Sequence, residues 1–356
     1  MLFSCGPSKC DKAVLKKQSN LMVHHRSAAF LELYESLIVQ LKQLCDDREG
    51  EVLVLNGSGS SGMEAALLNF LSSGEELLVI DSGRFGSRFA LMAKRMDMIP
   101  HLYDVKQQGV VDTAMLEQML SAYPAIKAIA FTYSDTSTGL LMDPKRIGAF
   151  ARKHQLLSIM DGIGGVIMNP FSMKESQIDV CIMASQKGFW MSPGLCMIAL
   201  SPTALTRLNP QAPTYVFHFY EMLQKQKQNA LLQYTPAVSL YFALHQALCI
   251  LNSRPITYWN QFYQRQYERL YTIITEANGC IKQAPSLSRS VLLFTTSKSA
   301  SRLQQRLEQE FQIRIELGLD DQEDRILRIG NMARYSEEEL NALAHALKLC
   351  LQEENN

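Results

Sequence analysis

Four short clusters in this chain carry residue types able to do chemistry. The first is Gly57-Ser58-Gly59-Ser60-Ser61-Gly62, between an apolar run EVLVL and a helix-forming run MEAALLNFL. Free backbone N–H groups at a helix start, the helix dipole and three hydroxyls together make an anion site, with phosphate the natural guest. The same letters match GxGxxG, and Asp81 ends the next apolar run 19 residues beyond Gly62, so a dinucleotide-binding dehydrogenase competes with a plain phosphate site. A tight strand–helix turn is the plainest reading. The second cluster is LSIMDG, where Asp161 ends an apolar run and needs a partner for its charge. A protonated pyridine nitrogen is such a partner, because a carboxylate beneath it keeps the ring cationic; the plain reading is a cap or turn residue. The third is MASQKGFWMSPG, in which Lys187 stands among Gln186, Phe189, Trp190 and Met191. An ammonium in apolar surroundings loses hydration, its pKa falls, and the amine becomes the nucleophile that a Schiff-base lysine requires. Taken alone, a strand-end lysine is more often a solvated surface residue. The fourth is YSDTSTG, Tyr133 to Gly139, with hydroxyls at Ser134, Thr136, Ser137 and Thr138, or else an ordinary polar turn.

The elements that must position these clusters follow from periodicity. SAAFLELYESLIVQLKQLCD predicts a helix with Phe30, Leu33, Leu37, Leu41 and Leu44 on one face and Ser27 as N-cap. From residue 51, strands EVLVL, ELLVID, IPHLYDV, AIKAIAFTY and LLSIMDG alternate with amphipathic helices, which predicts a parallel sheet covered on both faces. IDVCIMAS and GLCMIALS follow with no long helix between them, so one of the two is expected to run antiparallel. After about Pro202 the chain is helical, and the tail reads strand, helix, strand, strand, helix. The domain boundary is placed near Asn252 to Pro255, giving a large domain over 1–252 and a small α+β domain over 253–356. Each chemical cluster then falls at a strand end, the usual place for ligands in such sheets.

Composition narrows the rest. The 356 residues carry 35 Lys+Arg against 35 Asp+Glu, a formal net charge of zero, and no basic run invites a polyanion. Eight cysteines are scattered without a CxxC pair, which argues against a zinc site or a disulfide framework. The start MLFSCGPSKCDK lacks the apolar core of a secretory signal, and no run reaches the ~18 apolar residues of a membrane span, so the cytosol is the expected address.

In chain order, a phosphate loop, a hydroxyl turn, a strand-end aspartate and a strand-end lysine 26 residues later resemble the class V pyridoxal-phosphate (PLP) aminotransferases. That group includes alanine–glyoxylate, serine–glyoxylate and serine–pyruvate aminotransferases. CGPS and HHRSAAF at the N-terminus, GRFGSR, TPAVSLYFAL and RIGNM extend the likeness over nearly the whole chain. The resemblance implies PLP fold type I in the α/β class, with PLP as cofactor and a homodimer with shared sites. The N-terminal segment 1–26 would reach the small domain or the active site. It assigns Ser58, Gly59, Ser60 and Gln186 to the cofactor phosphate and Phe85 to stacking on the pyridine ring. Thr136 would lie near the ring hydroxyl, Asp161 on the ring nitrogen, and Lys187 in the Schiff base. Tyr234 and Thr235, in QYTPAVSL, would reach the neighbouring subunit's phosphate, and Arg328 would clamp the substrate carboxylate. The implied activity moves an amino group from a small amino acid to a small 2-oxo acid. Ala333 in RIGNMAR, where glycine is common, and FSCGPS, where a TPGP-like start is common, depart from the pattern at the substrate end. A 2-aminoethylphosphonate–pyruvate transaminase shares much of the pattern. A PLP lyase or cysteine desulfurase shares the fold, but Cys280 and Cys350 sit in poor contexts for a mobile nucleophile.

Overall fold

A computed structural model describes residues 1–228, 233–297, 299–319 and 324–352. Helices α1 (Lys12–Gln18) and α2 (Ala28–Cys45) lead into β1 (Glu51–Gly57), α3 (Gly59–Phe70), β2 (Glu76–Asp81), α4 (Arg84–Arg95) and β3 (Ile99–Asp104). Next come α5 (Thr113–Ala122), β4 (Ile126–Thr132), the small hairpin β5 (Ser134–Asp135) and β6 (Leu140–Leu141), α6 (Pro144–Lys153), and β7 (Leu157–Asp161). The large sheet is completed through α7 (Met173–Ser176), β8 (Val180–Ala184) and β9 (Gly194–Leu200). Helices α8 (Pro202–Thr206), α9 (Phe219–Lys227), α10 (Val238–Asn252) and α11 (Ile256–Glu276) follow. The tail holds β10 (Cys280–Ile281), β11 (Val291–Thr295), α12 (Ala300–Phe311), β12 (Glu316–Leu317), β13 (Leu327–Gly330) and α13 (Glu337–Gln352).

The seven-stranded sheet has the order β1-β9-β8-β7-β4-β2-β3. Pairs β2–β3, β2–β4, β4–β7 and β7–β8 are parallel. Strand β9 is antiparallel to both its neighbours, β8 and β1, which makes GLCMIALS the reversed strand. The reversal needs no crossover helix: β8 and β9 are joined by the turn that carries Lys187, and Gly57 pairs with Gly194 at that same edge. The C-terminal ends of β1, β4, β7 and β8 therefore open on one side of the sheet.

Alternate residues of each strand face opposite layers, as period-two geometry requires. Val52, Val54, Leu78 and Ile80 join a core with α2, α10 and the start of α11. Leu53, Leu55, Leu77 and Val79 join one with α3, α4 and α9. Pro100 stands in β3, which is the sheet's edge strand, where a missing N–H costs little. Helix α2 begins one residue after Ser27, whose Oγ accepts from Phe30 N.

The antiparallel sheet β10-β11-β13-β12 packs with α12, α13 and the last turns of α11. Helix α11 belongs to both cores: Trp259 and Tyr263 face the large one, Leu270 and Ile273 the small one. Phe3 is wholly buried in the small core, and its backbone bridges Arg314 O and Gly330 N.

Candidate active site

The glycine-rich turn is built by local capping. Ser58 Oγ accepts from Ser61 N (3.2 Å) while Ser58 N donates to Ser61 Oγ (3.3 Å), so the first turn of α3 is fixed by a reciprocal pair. N–H groups in a first helical turn have no intrahelical acceptor and point outward. The glycines are required by packing. A Cβ at Gly59 would lie 2.3 Å from Ile163 Cδ1, and one at Gly62 would lie 2.2 Å from Cys196 Sγ. Asp81, the rival ribose ligand, is instead a brace: it pairs with Lys106 (2.8 Å) and accepts from Ser87 Oγ (2.7 Å) and Gly83 N (3.2 Å).

Phe85 lies in the first turn of α4, a helix with no side-chain cap from its N-cap residue Gly83. The cap comes from the hydroxyl turn 50 residues on: Asp135 Oδ2 accepts from Phe85 N and Gly86 N, each at 3.0 Å. Asp135 is fully buried, so this contact fixes the start of α4 against the end of β4. Arg88, one turn further, donates from Nη1 to Ser60 Oγ (3.0 Å) and lies 4.8 Å over the Phe85 ring.

Asp161, at the end of β7, is 4% exposed. Its Oδ1 accepts from Ile163 N (2.9 Å) and its Oδ2 from Thr132 Oγ1 (3.3 Å). Burial pushes its carboxyl up to about 6, the Ile163 N–H pulls it down, and Arg88 and Lys187 lower it further. Lys187 follows β8. Burial pulls its ammonium below the ordinary lysine value, against the nearby Cys5 and Asp161, while the positive charges of Arg328 and Arg88 add to the fall. Its Nζ donates to Cys5 O. The lysine turn is tied to the N-terminal segment by Ser8 N to Gln186 O and Ser8 Oγ to Lys187 O, both 2.8 Å. A Cβ on Gly6 would stand 2.2 Å from Lys187 Nζ, so only glycine lets that segment cross the amine.

A cavity of about 300 Å³ gathers Ser58, Gly59, Ser60, Phe85, Thr136, Asp161, Gln186 and Lys187, all expected from the sequence. Gly6 and Pro7 also line it, from the N-terminal segment expected to reach the small domain or the active site, and so does Arg88, which was not expected. A larger cleft of about 630 Å³ around Arg152 and Asp179 lies at the opposite ends of the strands and holds none of these groups. Three expected residues stand outside the wall. Tyr234 OH accepts from Asn56 N (3.2 Å) and Thr235 O accepts from Asn56 Nδ2 (3.1 Å), so in this chain they brace the end of β1, two residues before Ser58. Arg328 is buried in β13 and donates from Nε to Leu317 O (2.7 Å) and from Nη1 to Thr136 O (2.9 Å). The nearby carboxylate Asp324 does not pair with it but accepts from Ser299 Oγ and Ser301 N, each at 2.9 Å.

The cavity has needs that the chain does not meet by itself. Gln186 Oε1 is buried with no hydrogen-bond partner among the described residues, and Asp161 is a buried acid whose carboxyl burial pushes up to about 6. A planar cationic ring that carries a phosphate would give Asp161 its partner and place its anion at the start of α3. Such a site on this sheet defines a fold type I PLP enzyme.

The model of the class-V aminotransferase family matches residues 1–339, and the chain belongs to that family: it is a PLP-dependent aminotransferase. It is similar to a protein named soluble hydrogenase 42 kDa subunit of Anabaena cylindrica, with 26% identity, covering 99% of this chain and 93% of the relative. It is 28% identical to the serine–glyoxylate aminotransferase of Methylorubrum extorquens over 70% of this chain and 64% of that protein. Among solved structures, an aspartate aminotransferase of Thermus thermophilus superposes with a TM-score of 0.90, at 25% identity, covering 99% of both chains.

Proposed function

We propose that this enzyme moves an amino group from a small amino acid of the alanine or serine type to a small 2-oxo acid such as glyoxylate or pyruvate. The observation that carries the reading is the meeting of Lys187 and Asp161, from the ends of adjacent strands, in one cavity with the anion-binding start of α3. The small cavity and the name of the Methylorubrum extorquens relative support a small substrate pair.

Bound PLP supplies the electron sink for the carbanion formed at the substrate Cα. Asp161 would hold a proton on the ring nitrogen, and its burial would make the carboxylate a strong partner for that cation. Lys187 Nζ, whose proton burial makes easier to lose, would bind the cofactor covalently at rest and would take the α-proton during turnover. Ser58, Gly59, Ser60 and Gln186 would hold the phosphate end, Phe85 would offer a ring face, and Thr136 would lie near the ring hydroxyl. Arg328 fits the substrate carboxylate: two of its N–H groups are spent on carbonyls, and a carboxylate accepts from the remaining fork.

The chain acts as a cytosolic homodimer of two-domain subunits, divided as 1–252 and 253–356. Tyr234 and Thr235, beside the β1 end, work on the partner's site. Among the described residues no helix is long and apolar enough to cross a membrane. A donor screen on the purified protein tests the reaction. Alanine or serine should bleach the lysine-bound cofactor colour, and glyoxylate or pyruvate should restore it. Bleaching by an aminophosphonate alone would move the enzyme to another substrate class. Mixing inactive Lys187→Ala and Thr235→Ala chains should regenerate activity; no complementation and no dimer on sedimentation would defeat the shared-site arrangement.

A further inference from the structure

We infer that Arg88 is a ligand of the cofactor phosphate, and that Asp135 sets its position. This rests on the reading of the cavity as a PLP site.

Charge motivates the assignment. A phosphate ester of this type carries about −1.5 to −2 at neutral pH, whereas a helix start offers only about +0.5. Ser58 and Ser60 contribute neutral hydroxyls, and Lys187 is committed to the cofactor's aldehyde carbon. Arg88 is the other cationic side chain lining the cavity. Its Nη1 is already 3.0 Å from Ser60 Oγ, in the first turn of α3, and no ion pair neutralises it among the described residues. A guanidinium has five donors, so one bond to a hydroxyl leaves the fork able to meet phosphate oxygens. Arg328, by contrast, is held on the far side of the hydroxyl turn by Thr136 O and Leu317 O. The two arginines thus divide the anions, phosphate to Arg88 and substrate carboxylate to Arg328.

Position follows from the helix. Residues 85 and 88 are three apart on α4 and share a face, which places the guanidinium over the Phe85 ring. Asp135 caps that helix from the end of β4, so one buried carboxylate sets the ring that meets the pyridine and the cation that meets the phosphate.

The test compares pyridoxal phosphate with pyridoxal, which lacks the phosphate. Both are titrated into wild-type, Arg88→Gln and Arg88→Lys apoenzyme while the absorbance of the lysine-bound chromophore is followed. Arg88→Gln should weaken pyridoxal phosphate by about ten- to a hundredfold, the range for a charge-assisted contact, and leave pyridoxal within about twofold. Arg88→Lys should recover part of the loss as a point charge. Equal loss for both compounds would make Arg88 a packing residue and overturn the assignment. Unchanged pyridoxal phosphate affinity with weakened amino-acid binding would reassign it to the substrate. Wild-type protein that forms no lysine-bound chromophore with pyridoxal phosphate would overturn the cofactor reading itself.

Discussion

Asp161→Asn should make the apoenzyme more stable at alkaline pH while crippling the loaded enzyme. In the fold, burial raises the Asp161 carboxyl from 3.8 to about 6. Two pKa units correspond to about 3 kcal/mol. The folded-state pKa lies above the unfolded one, so the carboxyl's stabilisation is complete below about pH 4. It is lost as pH rises through about 6, because the unfolded chain releases a proton that the folded chain retains. Above that window the apoenzyme carries the full cost of an ionised buried acid. An amide removes the cost and still accepts from Ile163 N through its oxygen. With ~2.1 cal/mol/K of unfolding entropy per residue, a chain of this length changes Tm by about 1.3 °C per kcal/mol, so ~3 kcal/mol is about 4 °C. Thermal melts of both apoproteins at about pH 8 and about pH 4 check the point: the variant's advantage should be present at the first and absent at the second. Adding pyridoxal phosphate should reverse the order, since the ring cation compensates the carboxylate and not the amide. A pH-independent difference, or a variant less stable at both pH values, would show that the buried charge does not control the site.

Lys187→Ala should abolish turnover, and borohydride reduction of wild-type holoenzyme should label Lys187; a label on another lysine would refute the assignment. Arg328→Lys should lower kcat/KM for amino and oxo acids by about ten- to a hundredfold with the resting cofactor spectrum unchanged, because an ammonium cannot copy the two-pronged contact. Unaltered kinetics would leave Arg328 a purely structural link between β13 and the hydroxyl turn. Gly6→Ala should displace the Lys187 amine and reduce the covalently bound cofactor fraction at saturating pyridoxal phosphate, measured by absorbance; an unchanged fraction would mean that the N-terminal segment yields instead.

The alternation of apolar strands and amphipathic helices was legible from the sequence, and so were the clusters at the strand ends. Each is a local pattern that backbone geometry reads directly. Strand order was not, because β1 pairs with β9 about 145 residues away and nothing in EVLVL names that partner. Helix α1 escaped notice, being only seven residues long. Arg88 looked like the polar face of an amphipathic helix, since the opposite face holds Phe89 and Ala93. A signal was present in the lack of a side-chain cap where α4 begins at Arg84: the missing acceptor is Asp135, a carboxylate inside a turn noted only for its hydroxyls. Gly6 was noticed as part of CGPS, but its closeness to Lys187 depends on how two distant segments cross.

The threading of Phe3 between Arg314 and Gly330 has a consequence for synthesis on the ribosome. The strip from Phe3 to Ser8 emerges early, yet its backbone partners are made some 180 to 325 residues later. Until β13 exists, the Phe3 end of the strip has nowhere to dock, although Ser8 already has its partners at Gln186 and Lys187. The large core can condense first around its own sheet, as domains generally fold in units during translation. Closing the longest of these loops comes last, and contacts of such sequence separation form slowly. A nascent chain therefore passes through a stage with a complete sheet and an unfinished lysine pocket, and full-strength cofactor capture becomes a marker that the final hundred residues have folded.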